Sequence, residues 1–275
     1  MAVESVTETA MIWGTVSGAS MLGMVISLLL SVSLPIFLGI FIYKKTKAWV
    51  PAFFIGCGIF VGFAMILEQI CHAIVLTVTG DVIRDNIWLY AIYGGLAAAL
   101  FEECGRWIAM KFCLKKHLTR ENALMYGTGH GGIEAFLILG MSSMSNLLTA
   151  AMINGGLMEK TMTALEPAQQ EVTYHQLSVL WTTPAYQFYL APVERISAIA
   201  LQIALSILVY SAVKTGRKLH LAAAFGLHFT VDFLTVVCAS TIPTWALELG
   251  LLLVVAVICV VVYKLVYLSL AEKKA

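Results

Sequence analysis

Residues 244–268 read TWALELGLLLVVAVICVVVYKLVYL, a run of 25 in which only Glu248 and Lys264 carry charge. Crossing the hydrocarbon core of a bilayer takes about 20 apolar residues in helical form, so this stretch is long enough to span. Six further runs of the same kind precede it, at 13–43, 49–79, 88–111, 122–151, 196–213 and 219–240. In lipid each backbone polar group must be satisfied within its own segment, and helices of this length do that. The prediction is therefore an all-α, polytopic membrane helix bundle of about seven transmembrane helices, one membrane domain over 1–275. Composition agrees: 60% of the 275 residues are hydrophobic and 12% charged, which is about half the charged share of a soluble domain. A net charge of +1 offers no basic surface, so nucleic acid is not an expected partner and the lipid bilayer is.

Charge between the runs sets orientation. Lys44, Lys45 and Lys47 fall in one connection, Lys111, Lys115, Lys116 and Arg120 in another, and Lys214, Arg217 and Lys218 in a third. With Lys264, Lys273 and Lys274 near the C-terminus, these make 13 of the 17 basic residues, all at alternate connections. The positive-inside rule puts that side in the cytoplasm, with the N-terminus outside and the C-terminus cytoplasmic. Glu4 and Glu8, with no early Lys or Arg, argue against a cleaved secretory signal. Trp13, Tyr43, Trp49, Trp88 and Trp245 lie near run ends, where amphipathic rings favour the headgroup region. The segment 152–192 is expected outside as a loop with an interfacial helix, a gate or lid over a cavity being the alternative. The six cysteines lie in or beside apolar runs and form no Cys-x-x-Cys, so they read as small buried apolar side chains.

Ionisable residues within spans are costly and usually face a protein interior. Run three carries Phe101-Glu102-Glu103-Cys104-Gly105-Arg106, run four His130-Gly131-Gly132-Ile133-Glu134, and run six His228-Phe229-Thr230-Val231-Asp232. Glu102, His130 and His228 each lie nine or ten residues from a basic marker, which at helical rise is roughly 13–15 Å. Three spans of alternating direction thus bring them to one depth, nearer the cytoplasmic side. Glu102 with Arg106, His130 with Glu134 and His228 with Asp232 are i, i+4 pairs, each on one helix face. Interhelical hydrogen bonding alone could explain a pair such as Glu103 and Arg106. It explains less well two histidines and four carboxylates around one arginine. Glu68 and His72 fall nearer the outer face and read as structural; Glu194 and Arg195 sit at the outer end of run five and can pair. Ser142, Ser143, Ser145 and Asn146 lie in the outer half of run four, where hydroxyls bond their own helix.

Carboxylates and imidazoles in a partly dry cavity suit the activation of water. Two histidines with one or two carboxylates would also hold a catalytic zinc that keeps one position open. His-Glu-x-x-His is absent, as is Gly-x-Gly-Asp.

Glu102-Glu103-x-x-Arg106, Tyr126-x-x-x-His130 and His228-x-x-x-Asp232 resemble the three ordered motifs of the CAAX-protease-like (CPBP) intramembrane peptidase superfamily. With His130-Gly131-Gly132-Ile133-Glu134 added, the chain more closely resembles the YhfC-type intramembrane metalloproteases of bacteria. That resemblance implies a hydrolase of the bacterial plasma membrane that cleaves a membrane-embedded or membrane-associated peptide substrate. It implies Glu102 as the acid that activates water, supported by Glu103 and Arg106, with His130 and His228 binding water, a metal or the oxyanion. Metal ligands would come from His130, Glu134, His228 and Asp232, holding zinc or another divalent ion; a metal-free glutamic mechanism stays open. Two residues, not the superfamily's three, separate Glu103 from Arg106, which leaves the Glu102 and Glu103 roles interchangeable at this stage. A proton-coupled transporter, whose relays use the same residue types, and a non-catalytic membrane scaffold are the competing functions.

Overall fold

Each of the seven apolar runs forms a long helix in the computed structural model, which describes residues 12–270. They are α1 (Gly18–Thr46), α2 (Pro51–Thr79), α3 (Ile87–Cys113), α4 (Arg120–Asn154), α5 (Ala185–Thr215), α6 (Lys218–Ala239) and α7 (Thr244–Leu270). Among the described residues there is no strand, and the chain is an integral membrane helix bundle. Glu4 and Glu8, and Lys273 and Lys274, lie outside the described residues.

Local sequence explains where the helices start and stop. Side-chain oxygens of Ser17, Asn86 and Thr119 accept backbone N–H groups at the first turns of α1, α3 and α4, donors that no helical carbonyl reaches. Pro51 opens α2, where a missing N–H costs nothing. Lys47 at φ 58° and Gly216 at φ 73° take the left-handed conformation that ends α1 and α5. Four helices carry π-helical stretches, and two of these adjoin buried glutamates: Val61–Glu68 in α2, ending on Glu68, and Phe136–Gly140 in α4, just past Glu134.

Two boundaries differ from expectation. Helix α1 begins at Gly18, so Trp13 precedes it and packs against Tyr174 and Trp181 at ring separations of 5.6 and 5.8 Å. Helix α5 begins at Ala185 rather than near 196, because Pro184 starts it and its aromatic first turns dock on α1. There Ser27 donates to the Phe188 carbonyl and Tyr189 to that of Ala19. The segment expected as a loop with an interfacial helix contains two helices, Leu157–Met162 and Pro167–Thr182.

Helix α5 is the hub. In its most apolar stretch 72% of residues are buried, against 17–33% in the other six helices, whose outer faces are left for lipid. It packs on α1, α4, α6 and α7, while α2 crosses α4 and α6 lies along α3. The α2–α4 crossing is a backbone approach: a Cβ on Gly129 would stand 1.9 Å from the Phe53 carbonyl oxygen, and one on Gly56 2.2 Å from that of Tyr126. Only glycine permits that distance.

The main apolar core occupies the end of the bundle where the basic connections lie. It contains Met110, Leu114, Met125, Tyr126, Leu205 and Val209. Trp49 stacks on His117, and Arg120 sits over the Tyr267 ring and donates to its carbonyl, tying the connections together below this core.

Candidate active site

At the inner edge of that core, four helices deliver polar side chains to one cluster. Helix α3 supplies Glu102, Glu103 and Arg106, α4 His130 and Glu134, α5 Arg195 and Gln202, and α6 His228 and Asp232. The hydrogen bonds form a continuous chain. The Nε2–H of His130 donates to Glu102 Oε2 at 2.9 Å. Gln202 Nε2 donates to the same oxygen at 2.9 Å and to Glu134 Oε2 at 2.8 Å. Gln202 Oε1 accepts from Arg106 Nη2. Arg106 Nη1 donates to Glu103 Oε1 at 2.7 Å, and that oxygen also accepts from His228 Nδ1 at 2.8 Å. Arg106 and His130 are wholly buried, so each charge-assisted bond acts with little water to screen it.

The two adjacent glutamates face different ways. Glu102 lines a cavity; Glu103 is turned to Arg106 and His228. With two residues between Glu103 and Arg106, the tight ion pair falls to Glu103 at i, i+3, while Glu102 at i, i+4 stands 3.9 Å from the guanidinium. Because Glu103 holds Nδ1 of His228, the ring's Nε2 points toward Glu102, 3.9 Å from its Oε2, and Asp232, 3.5 Å from its Oδ2. All the ionisable motif residues meet in this cluster, while Tyr126 lies in the apolar core with its ring 5.9 Å from that of His130. Glu134, expected beside His130, also pairs with Arg195 at 3.2 Å, and Arg195 is held in turn by Glu194.

The cavity has a volume of about 530 Å³. Its wall on α3 runs from Glu102 back to Tyr90, on α6 from His228 forward to Val236, and on α5 from Gln202 back to Glu194. Each of these directions leads away from the basic connections. On the basic side of the cluster lie Tyr126, Met110 and Leu205. No residue of 152–184 lines the cavity, so among the described residues the segment weighed as a lid does not cover it. The short helix Pro167–Thr182 packs instead with Trp13 and the start of α1.

Glu68 and His72, expected as structural residues near the outer face, line the same cavity. Glu68 is buried with its carboxylate 3.2 Å from His72 Nε2, and His72 Nδ1 and the Tyr93 hydroxyl share a hydrogen bond of 2.7 Å. Gln202, the amide that joins Glu102, Glu134 and Arg106, was outside every motif. Its signal was a lone amide in an apolar span, where a polar side chain needs partners. Ser142 bonds the Ile138 carbonyl of its own helix at 2.5 Å, as expected.

A family model described as "YhfC intramembrane metalloprotease" matches residues 30–259, across six helices and into the seventh. The chain is also 42% identical over 204 residues to a Bacillus subtilis (strain 168) protein described as "Uncharacterized membrane protein YhfC", covering 71% of this chain and 76% of that one. The chain belongs to the YhfC intramembrane metalloprotease family. No solved structure matches it.

The metal in the family's name can be tested against this donor set. Ligand atoms of Glu102, His130 and Glu134, all buried, lie within 4.8 Å of one another. Three buried carboxylates (Glu102, Glu103 and Glu134), with the half-buried Glu194 and Asp232 beside them, face two guanidinium groups, those of Arg106 and Arg195, and the His228 ring. Buried anionic charge needs a compensating cation, and mixed carboxylate and imidazole donors suit a divalent one. The residues fit. The grouping differs from the expected ligands in one respect: Glu102 joins His130 and Glu134, while His228 and Asp232 form an adjoining pair.

Proposed function

We propose that this YhfC-family chain is an intramembrane peptidase that hydrolyses a peptide bond at the floor of the cavity. The observation that carries the proposal is the convergence of Glu102, His130 and Glu134 beside a His228 ring whose other nitrogen is held by Glu103. Glu102, His130 and Glu134 are the residues to hold zinc or another divalent ion, with His228 and Asp232 adjoining. Such an ion supplies a Lewis acid for the scissile carbonyl and makes nearby water more acidic.

The chain's own groups do the rest. Glu103, fixed by Arg106, keeps the proton of His228 on Nδ1 and so leaves Nε2 as an acceptor facing the cavity. From there His228 can take a proton from water and return it to the leaving amine. Glu102, which faces the cavity directly, is the carboxylate placed against the reacting water. Gln202 holds Glu102 and Glu134 at a fixed separation, and Arg195 holds the other oxygen of Glu134. Preorganised donors of this kind lower the reorganisation needed at the moment of reaction.

The test is cleavage of single-span fluorogenic peptides in proteoliposomes, with elemental analysis of the purified chain. Wild type is expected to cleave, and Glu102→Ala, Glu103→Ala, His130→Ala and His228→Ala to lose cleavage while keeping detergent-stable helicity. His130→Ala is also expected to lose bound metal. Full cleavage by all four variants defeats the proposal, and proton or solute flux without cleavage points to a transporter.

A further inference from the structure

We infer that the site is served from the extracytoplasmic side, so that its substrate is a peptide bond presented in the outer half of the bilayer or just beyond it. This rests on the peptidase reading for the word substrate; the direction of access rests on the fold and the charge pattern alone.

The first observation is the one-sidedness of the cavity. On all six helices that line it, the wall starts at the level of Glu102, Gln202 and His228 or beyond and continues only toward the end without basic connections. Helix α2 contributes Glu68, His72 and Leu76 from its far half, and α7 contributes Leu251 and Val255 from its near turns. The lining reaches as far as Tyr90, in the first turn of α3, which is exposed.

The second is the closure of the opposite end. Between the cluster and the basic connections lie Met110, Leu114, Tyr126 and Leu205, each at most 1% exposed. Beyond them Asn122 accepts from Trp49 N and donates to the His117 carbonyl, sealing two connections to each other. A peptide or a water file reaching Glu102 through the bundle interior from that side would have to part these side chains; the groove between α3 and α6 on that half is lined by Glu103, Trp107 and Lys218 and not by Glu102.

The third is charge. Lys44, Lys45, Lys47, Lys115, Lys116, Lys214, Arg217 and Lys218 crowd the connections at the sealed end, whereas those at the open end contain only Arg84 and Lys160. The bias in short connections sets which side stays in the cytoplasm. The sealed end is the cytoplasmic one, and the cavity faces out.

A route from lipid exists on the same half. Val231, Thr235 and Leu251 line the cavity and also line an apolar groove of about 540 Å³ between α6 and α7. A membrane span lying in that groove would adjoin Val231, Thr235 and Leu251 of the cavity wall.

The test does not depend on catalysis. Thr235→Cys and Ala98→Cys place a thiol on two cavity walls, and Lys116→Cys places one at the sealed end. A membrane-impermeant maleimide is applied to sealed protoplasts and to inverted vesicles, and modification is read by mass at each position. Both cavity thiols are expected to react in protoplasts and Lys116→Cys to be silent, with Lys116→Cys reacting in inverted vesicles. Reaction of the cavity thiols only in inverted vesicles overturns the inference. So does reaction of Lys116→Cys in protoplasts, and so does silence of both cavity thiols on both sides. Loss of cleavage in the catalytic variants with cytoplasmic access would leave the peptidase standing and remove only the direction.

Discussion

The two ends of this bundle are built from the same helices and pack in opposite ways. At the basic end, α3, α4, α5 and α7 close on Met110, Leu114, Tyr126, Leu205 and Val262, and the polar side chains buried among them are small or neutral ones such as Thr128, Ser206 and Asn122. At the other end the same helices, with α2 and α6, stand apart around about 530 Å³ lined by Glu68, His72, Glu134, Arg195 and Asp232. The boundary between them is the layer of Glu102, Glu103, Arg106, His130, Gln202 and His228. Apolar side chains of one helix fill the gaps of the next, whereas paired charges keep their helices apart and need water or an ion to complete them. A bundle that must keep water at a buried carboxylate can therefore be dense on one side of it and open on the other.

That contrast can be broken by substitution. The largest effect is expected at the boundary: Glu102→Gln keeps the shape and removes the acid, and peptide cleavage in proteoliposomes should fall by about 10²–10⁴-fold. Next, Arg106→Leu strips Glu103 and Gln202 of their buried partner, and should cost about 3–5 kcal/mol by equilibrium unfolding in detergent. In the dense half, Leu205→Ala opens a void and should cost about 2–5 kcal/mol in the same measurement. Gly129→Ala forces a Cβ against the Phe53 carbonyl at the α2–α4 crossing and should cost about 1–3 kcal/mol, as overpacking does. Smallest is Gly250→Ala, where a Cβ meets nothing within 4 Å; stability should change by about 0.5 kcal/mol or less. Equal losses for Gly129→Ala and Gly250→Ala would erase the distinction between the two halves.

Much of this was legible in the sequence. Hydropathy located all seven spans because the bilayer imposes a length on each. Equal spacing from the basic markers placed Glu102, His130 and His228 at one depth, since helical rise converts residue count directly into height. What the sequence concealed follows from rotation about the helix axis, which spacing does not fix between helices. It left Glu102 and Glu103 interchangeable; the geometry turns one to the cavity and the other to Arg106. Gln202 belonged to no motif and became the joint between α3, α4 and α5. Glu68 and His72 were set aside on depth, yet the cavity extends far enough outward to include them. The direction of the cavity was hidden too, because packing density at the basic end depends on how side chains of four helices interdigitate. Charge at Glu194 and Arg195 ends the apolar run at 196, whereas α5 passes through both and pairs Arg195 with Glu134.

The most direct test of the site is an anomalous-scattering map from crystals of the chain loaded with a divalent transition metal. One ion bounded by Glu102, His130 and Glu134 at the cavity floor is expected, and it should be lost in His130→Ala. An ion bound elsewhere, or wild-type cleavage by a chain whose map shows none there, would contradict it.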